Sequence, residues 1–131
     1  MTKLTAHGGR LVLGAILVGA AGGCAQAVNS ASKQPATRTV HMKNLRGHNP
    51  FGFVPQTLVI TVGTKVVWSN TSSAPHTVTA SGEYPYFNSG TQKLIKPQHQ
   101  WSFTFRKTGT FHYYCIVHPF MHGTVIVRAR S

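Results

Sequence analysis

The chain has 131 residues, with 13 Lys and Arg set against one acidic residue, Glu83, and a formal net charge of +12 with His neutral. That length suits a single domain with extensions, and one carboxylate leaves a two-His-one-carboxylate iron site only Glu83 to draw on. So basic a surface suits solubility, steering toward an acidic partner or an anionic membrane surface, or service in an acidic compartment, where a fold with one carboxylate loses little on protonation.

The chain begins with Lys3 and Arg10, then the apolar run Leu11 to Val18, then small residues. This is the layout of a secretory signal, and it is too short to span a membrane. Ala25-Gln26-Ala27 fits a small-x-small cleavage site, so residues 1–27 are expected to be removed and Val28 to open the mature chain. Ala21-Gly22-Gly23-Cys24 is the competing pattern, a lipoprotein signal ending before Cys24. It fits less well, because a larger aliphatic residue is usual where Ala21 stands. In neither case is Cys24 left to pair with Cys115, so no disulfide is expected. Residues 28–37 are small and polar and form a flexible leader. The folded domain is then 38–131. From Val28 onward, eleven Lys and Arg accompany Glu83, a net of +10.

Within the domain the periodicity is that of strands. Leu58, Ile60 and Val62 alternate with Thr57, Val59 and Thr61, Gly63-Thr64 turns, and residues 65–70 return. Trp101, Phe103 and Phe105 alternate with Ser102, Thr104 and Arg106. Thr108-Gly109 then turns into Phe111, Tyr113 and Cys115 on one face, with Val125 and Val127 inward on the last strand. Helical periodicity is absent after residue 23. Seven or eight short strands imply an all-β, two-sheet Greek-key sandwich with Trp68, Trp101, Phe103 and Phe105 in its core.

The chemistry sits near the end, in Cys115-x2-His118-x2-Met121, with His76 39 positions before the cysteine. Taken singly, each of these residues is usually a buried thiol, a surface imidazole or core filler. Together, in a short connection between two strand-like runs, they form the ligand set of a trigonal copper site with a weak axial thioether. Structural zinc takes its four ligands in pairs, and this domain has one cysteine. A dinuclear copper centre needs a second thiolate. His122 is adjacent to Met121 and points elsewhere, and His41, His48, His99 and His112 are scattered surface residues.

These residues resemble the cupredoxins, the small blue copper proteins, and the short Cys-x2-His-x2-Met spacing with Pro119 and Phe120 resembles the amicyanin type. Val67-Trp68-Ser69-Asn70 with Pro75-His76, and Phe103-Thr104-Phe105 with Thr108-Gly109-Thr110-Phe111, extend the resemblance over roughly residues 38–128. It implies one type 1 copper ion, cycling between Cu(I) and Cu(II), held by His76, Cys115, His118 and Met121. Asn70, Thr77 and Pro119 are implied around it. Thr77 stands where Asn is frequent, which alters the side-chain bond joining the two ligand segments but leaves the Thr77 N–H able to reach the sulfur.

The resemblance further implies that electrons leave through His118, inside an apolar docking patch of Phe120 and Pro119 with Pro75, Phe53 and Pro55. The function expected is an exported carrier of single electrons, in the periplasm or at the cell surface. Its partner would be a transient redox protein (a cytochrome, dehydrogenase or oxidase), acidic if the charge serves steering. A copper-storage or copper-resistance protein is the alternative. A copper enzyme would need further His-rich sites, so none is expected. No groove-reading motif points to nucleic acid, membrane contact requires a lipidated Cys24, and a monomer is expected.

Overall fold

The computed structural model describes residues 34–82 and 87–131. The expected signal segment, Cys24, most of the expected leader and Glu83 lie outside the described residues. Eight strands follow in order: β1 (Thr37–Asn44), β2 (Phe51–Val54), β3 (Thr57–Thr61), β4 (Lys65–Asn70), β5 (Thr79–Ala80), β6 (Gln100–Thr104), β7 (Gly109–Cys115) and β8 (His118–Arg128). They form two four-stranded sheets, ordered β2-β1-β4-β6 and β3-β8-β7-β5. This is the all-β two-sheet sandwich expected, and β1 starts one residue before the expected boundary. No helix among the described residues is long and apolar enough to cross a membrane.

The period-two pattern sets which side chains meet between the sheets. On β4, Val66, Trp68 and Asn70 are buried while Lys65 is exposed. On β7, Tyr113 and Cys115 are buried and His112 is exposed. Trp68 is the centre of an aromatic core, its ring centroid 5.5 Å from Tyr113, 5.7 Å from Phe87 and 6.3 Å from Phe105. Trp101 and Phe103 pack on that core but stay half-buried. Two parallel pairings, inner strands β1 and β4 in one sheet and edge strand β3 with β8 in the other, run toward or away from the same end. That end carries Asn70, Cys115 and His118.

Two glycines are dictated by the packing. Gly63, in the β3–β4 turn, has φ +88°, where a β-carbon is strained. Gly123 lies opposite Tyr113 across β7 and β8, and the Tyr113 ring occupies the space a Gly123 side chain would need. Gly123→Val should therefore push the ring out of the core and destabilise the metal-free fold by roughly 1–3 kcal/mol, the usual cost of overpacking. Urea unfolding at neutral pH checks it, and an unchanged midpoint would mean that the sheet absorbs the extra atoms.

Candidate metal centre

Asn70 ends β4 and organises the segment that follows. Its buried amide nitrogen donates to the carbonyls of Ala74 (2.7 Å) and Ile95 (2.8 Å). Its oxygen accepts from the Ser72 N–H (2.9 Å) and the Ser72 hydroxyl (2.8 Å). All four hydrogen-bonding places of an amide are thereby used. His76 then pairs its backbone with Ile95 in both directions, at 3.1 and 2.9 Å. It sits in an isolated bridge rather than at a strand end, and it is fully buried.

The orientation of the His76 ring follows from proton counting. Ser72 Oγ lies 2.7 Å from His76 Nε2, and it has one proton to give. Asn70 Oδ1 and the Ala74 carbonyl, at 2.8 and 3.1 Å, can only accept that proton. Nε2 is therefore the donor to Ser72, and the bare lone pair is on Nδ1. Nδ1 faces His118 Nδ1 at 3.1 Å and Cys115 Sγ at 3.7 Å. His118 Nδ1 is likewise 3.7 Å from the sulfur.

Thr77 ties the two halves of this cluster together. Its N–H donates to Cys115 Sγ at 3.3 Å, and its hydroxyl oxygen accepts the Ile116 N–H at 2.8 Å. The threonine thus makes the loop-to-loop side-chain link that its difference from Asn put in question.

His118 and Met121 do not lie in a loop. The turn is only Ile116-Val117, and β8 begins at His118. Cys115 pairs with His118, but Tyr114 pairs with His122, so β8 carries three extra residues, Pro119 to Met121, against β7. The bulge turns the Met121 side chain inward, where it is 1% exposed, while Phe120 is 38% exposed and Pro119 is exposed beside it. His122 is exposed on β8, as expected of a residue pointing away, though on a strand instead of in a loop.

The apolar rim differs from expectation at one position. Phe53 is buried at 3% against Tyr113, 4.8 Å between rings. Phe51 occupies the rim instead, 4.8 Å from His118 and 5.1 Å from His76. Both face the same way along β2, but Phe53 is two residues deeper, about 7 Å further from the end. Pro75, Pro55 and Val117 are exposed. His41 also departs from a surface residue: it is half-buried, and its Nδ1 has no hydrogen-bond partner among the described residues. Ser72 and Phe51 were not visible as site residues in the sequence, since neither residue type signals a metal and only the folded loop brings them to the rings.

The donor atoms fit a metal. The circumcentre of a triangle with sides of 3.1, 3.7 and 3.7 Å lies about 2.0 Å from each corner, the reach of a metal–nitrogen bond and a little short of a metal–sulfur bond. Two imidazoles, a thiol and a nearby thioether, with no carboxylate among them, suit one type 1 copper ion.

A β-sandwich with this donor set at one end defines a class of small copper proteins. Residues 40–128 match the profile of the copper binding proteins of the plastocyanin/azurin family, and the chain belongs to that family. It is 34% identical over 77 residues to amicyanin of Paracoccus denitrificans, covering 53% of this chain and 53% of that protein. It is 35% identical over 75 residues to amicyanin-alpha of Methylorubrum extorquens, covering 52% and 57%. The chain thus spans about half the length of the curated relatives it matches. Among solved structures, a reduced amicyanin variant superposes with a TM-score of 0.59 at 27% identity, over 71% of this chain and 83% of that one. A purple cupredoxin of Nitrosopumilus maritimus gives 0.60 at 27% identity, over 69% and 98%.

Burial first, and the neighbouring His118 second, lower the His76 imidazole from 6.5 to about 4. In the metal-free protein the unfolded chain therefore binds a proton that the folded chain refuses between those values. Stability should fall as pH drops through that window, by at most about 3 kcal/mol. The acid tolerance expected from having one carboxylate is therefore limited by this ring. Denaturant midpoints of the metal-free protein at pH 7 and pH 4 test the point, and equal midpoints would mean that Nδ1 protonates without disturbing the fold.

Proposed function

We propose that this protein is an exported carrier of single electrons, with one copper ion held by His76 Nδ1, His118 Nδ1, Cys115 Sγ and, more weakly, Met121. The observation that carries the proposal is the triangle of donor atoms, oriented by the His76 hydrogen bond to Ser72 and the Thr77 N–H on the sulfur. When bound, copper supplies the one-electron change between Cu(I) and Cu(II). The remaining tasks fall to the protein. Asn70 and Ser72 fix one ring, Thr77 fixes the sulfur and its loop, and the Trp68 core keeps both sheets from moving as charge changes.

Pro119 has no N–H, which limits the hydrogen bonds available to the sulfur and so bears on the potential. His118, half-buried between Phe51 and Phe120, is the edge through which an electron leaves. Phe120, Pro119, Pro75 and Phe51 form the patch on which a redox partner docks. That partner is a cytochrome, dehydrogenase or oxidase, bound weakly and released quickly as such encounters require. An enzyme role is not proposed, because the described residues hold one His/Cys cluster and no second one beside it. Storage or hand-over of copper is disfavoured by the burial of His76, Cys115 and Met121, since exchange needs ligands that can be reached.

Adding Cu(II) to the purified protein should produce an intense visible absorption that bleaches on reduction, because a thiolate on copper gives a charge-transfer band. Cys115→Ser should lose the colour while retaining the β fold. Colourless protein after loading would overturn the assignment. Met121→Leu should keep copper and raise or lower the measured reduction potential, since the axial ligand tunes it. Loss of copper on Met121→Leu would make the thioether a principal ligand and the trigonal arrangement wrong.

A further inference from the structure

The positive charge is not spread evenly along the sandwich. Six of the ten Lys and Arg among the described residues (Arg38, Lys65, Arg106, Lys107, Arg128 and Arg130) lie at the end away from the cluster, and all six are exposed. The pairing brings them together. Arg128 lies beside Thr61 on β3, and Lys65 lies between Thr37 on β1 and Thr104 on β6. Gly63 N–H bonds the Phe105 carbonyl at 2.7 Å, which draws the Arg106-Lys107 turn against the β3–β4 turn. The Arg130 guanidinium lies over Gly63, 2.9 Å from where a β-carbon would stand. β7 runs from this end at Gly109 to Cys115, so about 20 Å separates the basic end from the donor atoms.

Between Arg38 and Arg128 is an open cleft of about 300 Å³, lined also by Thr61 and by Val59, which is 48% exposed. No acidic side chain among the described residues answers these cations, the single one in the sequence being Glu83. The chain also enters the domain here, because Ala36 lines the same cleft and β1 starts at Thr37.

We infer that this distal end is a docking surface for an anionic lipid bilayer, which seats the protein with its copper end turned away from the membrane. The class of ligand follows from the chemistry. Guanidinium groups chelate phosphate oxygens in pairs, the threonine hydroxyl adds a donor, and Val59 offers an apolar contact at headgroup depth. Each Lys or Arg near an anionic leaflet contributes about 1 kcal/mol, so six on one face suffice without a lipid chain. The entry of the leader at this end means that contact with the bilayer does not cover His118. The inference does not depend on the electron-carrier reading, since none of these residues touches the donor cluster.

The test uses the full, copper-loaded chain mixed with vesicles of phosphatidylcholine alone or with about a third phosphatidylglycerol, an anionic lipid. Partitioning is read by sedimentation. The N-terminal segment, with Lys3 and Arg10, is common to every variant, so the readout is the change in the anionic-to-neutral ratio from the wild-type chain. Arg38→Gln with Arg128→Gln and Arg130→Gln should lower that ratio about a hundredfold, the effect of three surface cations. Lys65→Gln with Arg106→Gln and Lys107→Gln is a second distal set that should act the same way, should the first disturb folding. Lys43→Gln with Lys93→Gln and Lys96→Gln removes the same charge elsewhere and should change the ratio less than about threefold. The preference should also vanish near 1 M salt, where the Debye length is about 3 Å. A wild-type chain with no preference for anionic vesicles overturns the inference and leaves an acidic protein as the ligand of this face. So does a control set that loses as much binding as the distal sets, because net charge alone would then be acting.

Discussion

The buried amide of Asn70 is the constraint on which the site depends. A side chain with two donors and two acceptor positions, fully removed from water, is stable only if each is answered, and leaving one open costs about 1–3 kcal/mol. Here each partner is a piece of the site: the Ser72 backbone and hydroxyl, the Ala74 carbonyl and the Ile95 carbonyl. The Ser72 hydroxyl, committed to Asn70, can only accept from His76, and this turns the free lone pair of His76 toward the cluster. A single satisfied amide therefore decides the tautomer of a ring two links away. Thr77 does the equivalent for the opposite segment, one hydrogen bond to the sulfur and one to the chain beyond it. Neutral hydrogen bonds thus orient donor atoms that are separated by 39 positions in sequence.

The strand bulge completes this arrangement from the other side. A regular hairpin after Cys115 would alternate its side chains, so His118 and Met121, three residues apart, would face opposite ways. The three extra residues on β8 remove that conflict. They bring Met121 inward and push Pro119 and Phe120 out to the surface, so that one distortion makes both the fourth donor and the apolar rim. The apolar rim around His118 and the donor cluster are consequently not independent features. A change that straightened β8 would bury Phe120 and expose Met121 together.

Much of this could be read from the chain alone. The alternation of Leu58, Ile60 and Val62, and of Trp101, Phe103 and Phe105, gave strands in the right places, because half-buried strands require period two. The spacing of Cys115, His118 and Met121 limited the metal, because few ions take a thiolate, imidazoles and a thioether with no carboxylate. What stayed hidden depends on depth and direction, not on residue type. Phe51 and Phe53 are the same residue on the same face, and only their distance from the end of β2 decides which one touches His118. Ser72 is one of several serines in Ser69 to Ser73, and its role comes from the loop closing back on Asn70. His41 lies on the outer face of its sheet, between the inward Val40 and Met42, and is half-buried there because β2 and β4 flank β1 on both sides. The start of β8 at His118 was obscured by Pro119, which ordinarily argues against a strand and is tolerated here by the bulge.

The charge pattern raises a final physical question, which is why so many cations can share one end of a domain of this size. Two exposed unit charges about 10 Å apart in water repel by only about 0.4 kcal/mol, and salt at physiological strength screens most of that. Six such exposed residues therefore cost the fold little in solution. The same screening means that they add little to stability either, so packing does not account for their grouping. Their energy becomes appreciable only when many opposite charges approach together on a flat surface, where every cation gains at once and counterions are displaced. An extended anionic face meets that condition far better than a single carboxylate or a small anion does. The sandwich then separates its two tasks along one axis: long-range attraction at the end where the chain enters, and short-range apolar contact at the end where His118 reaches the surface.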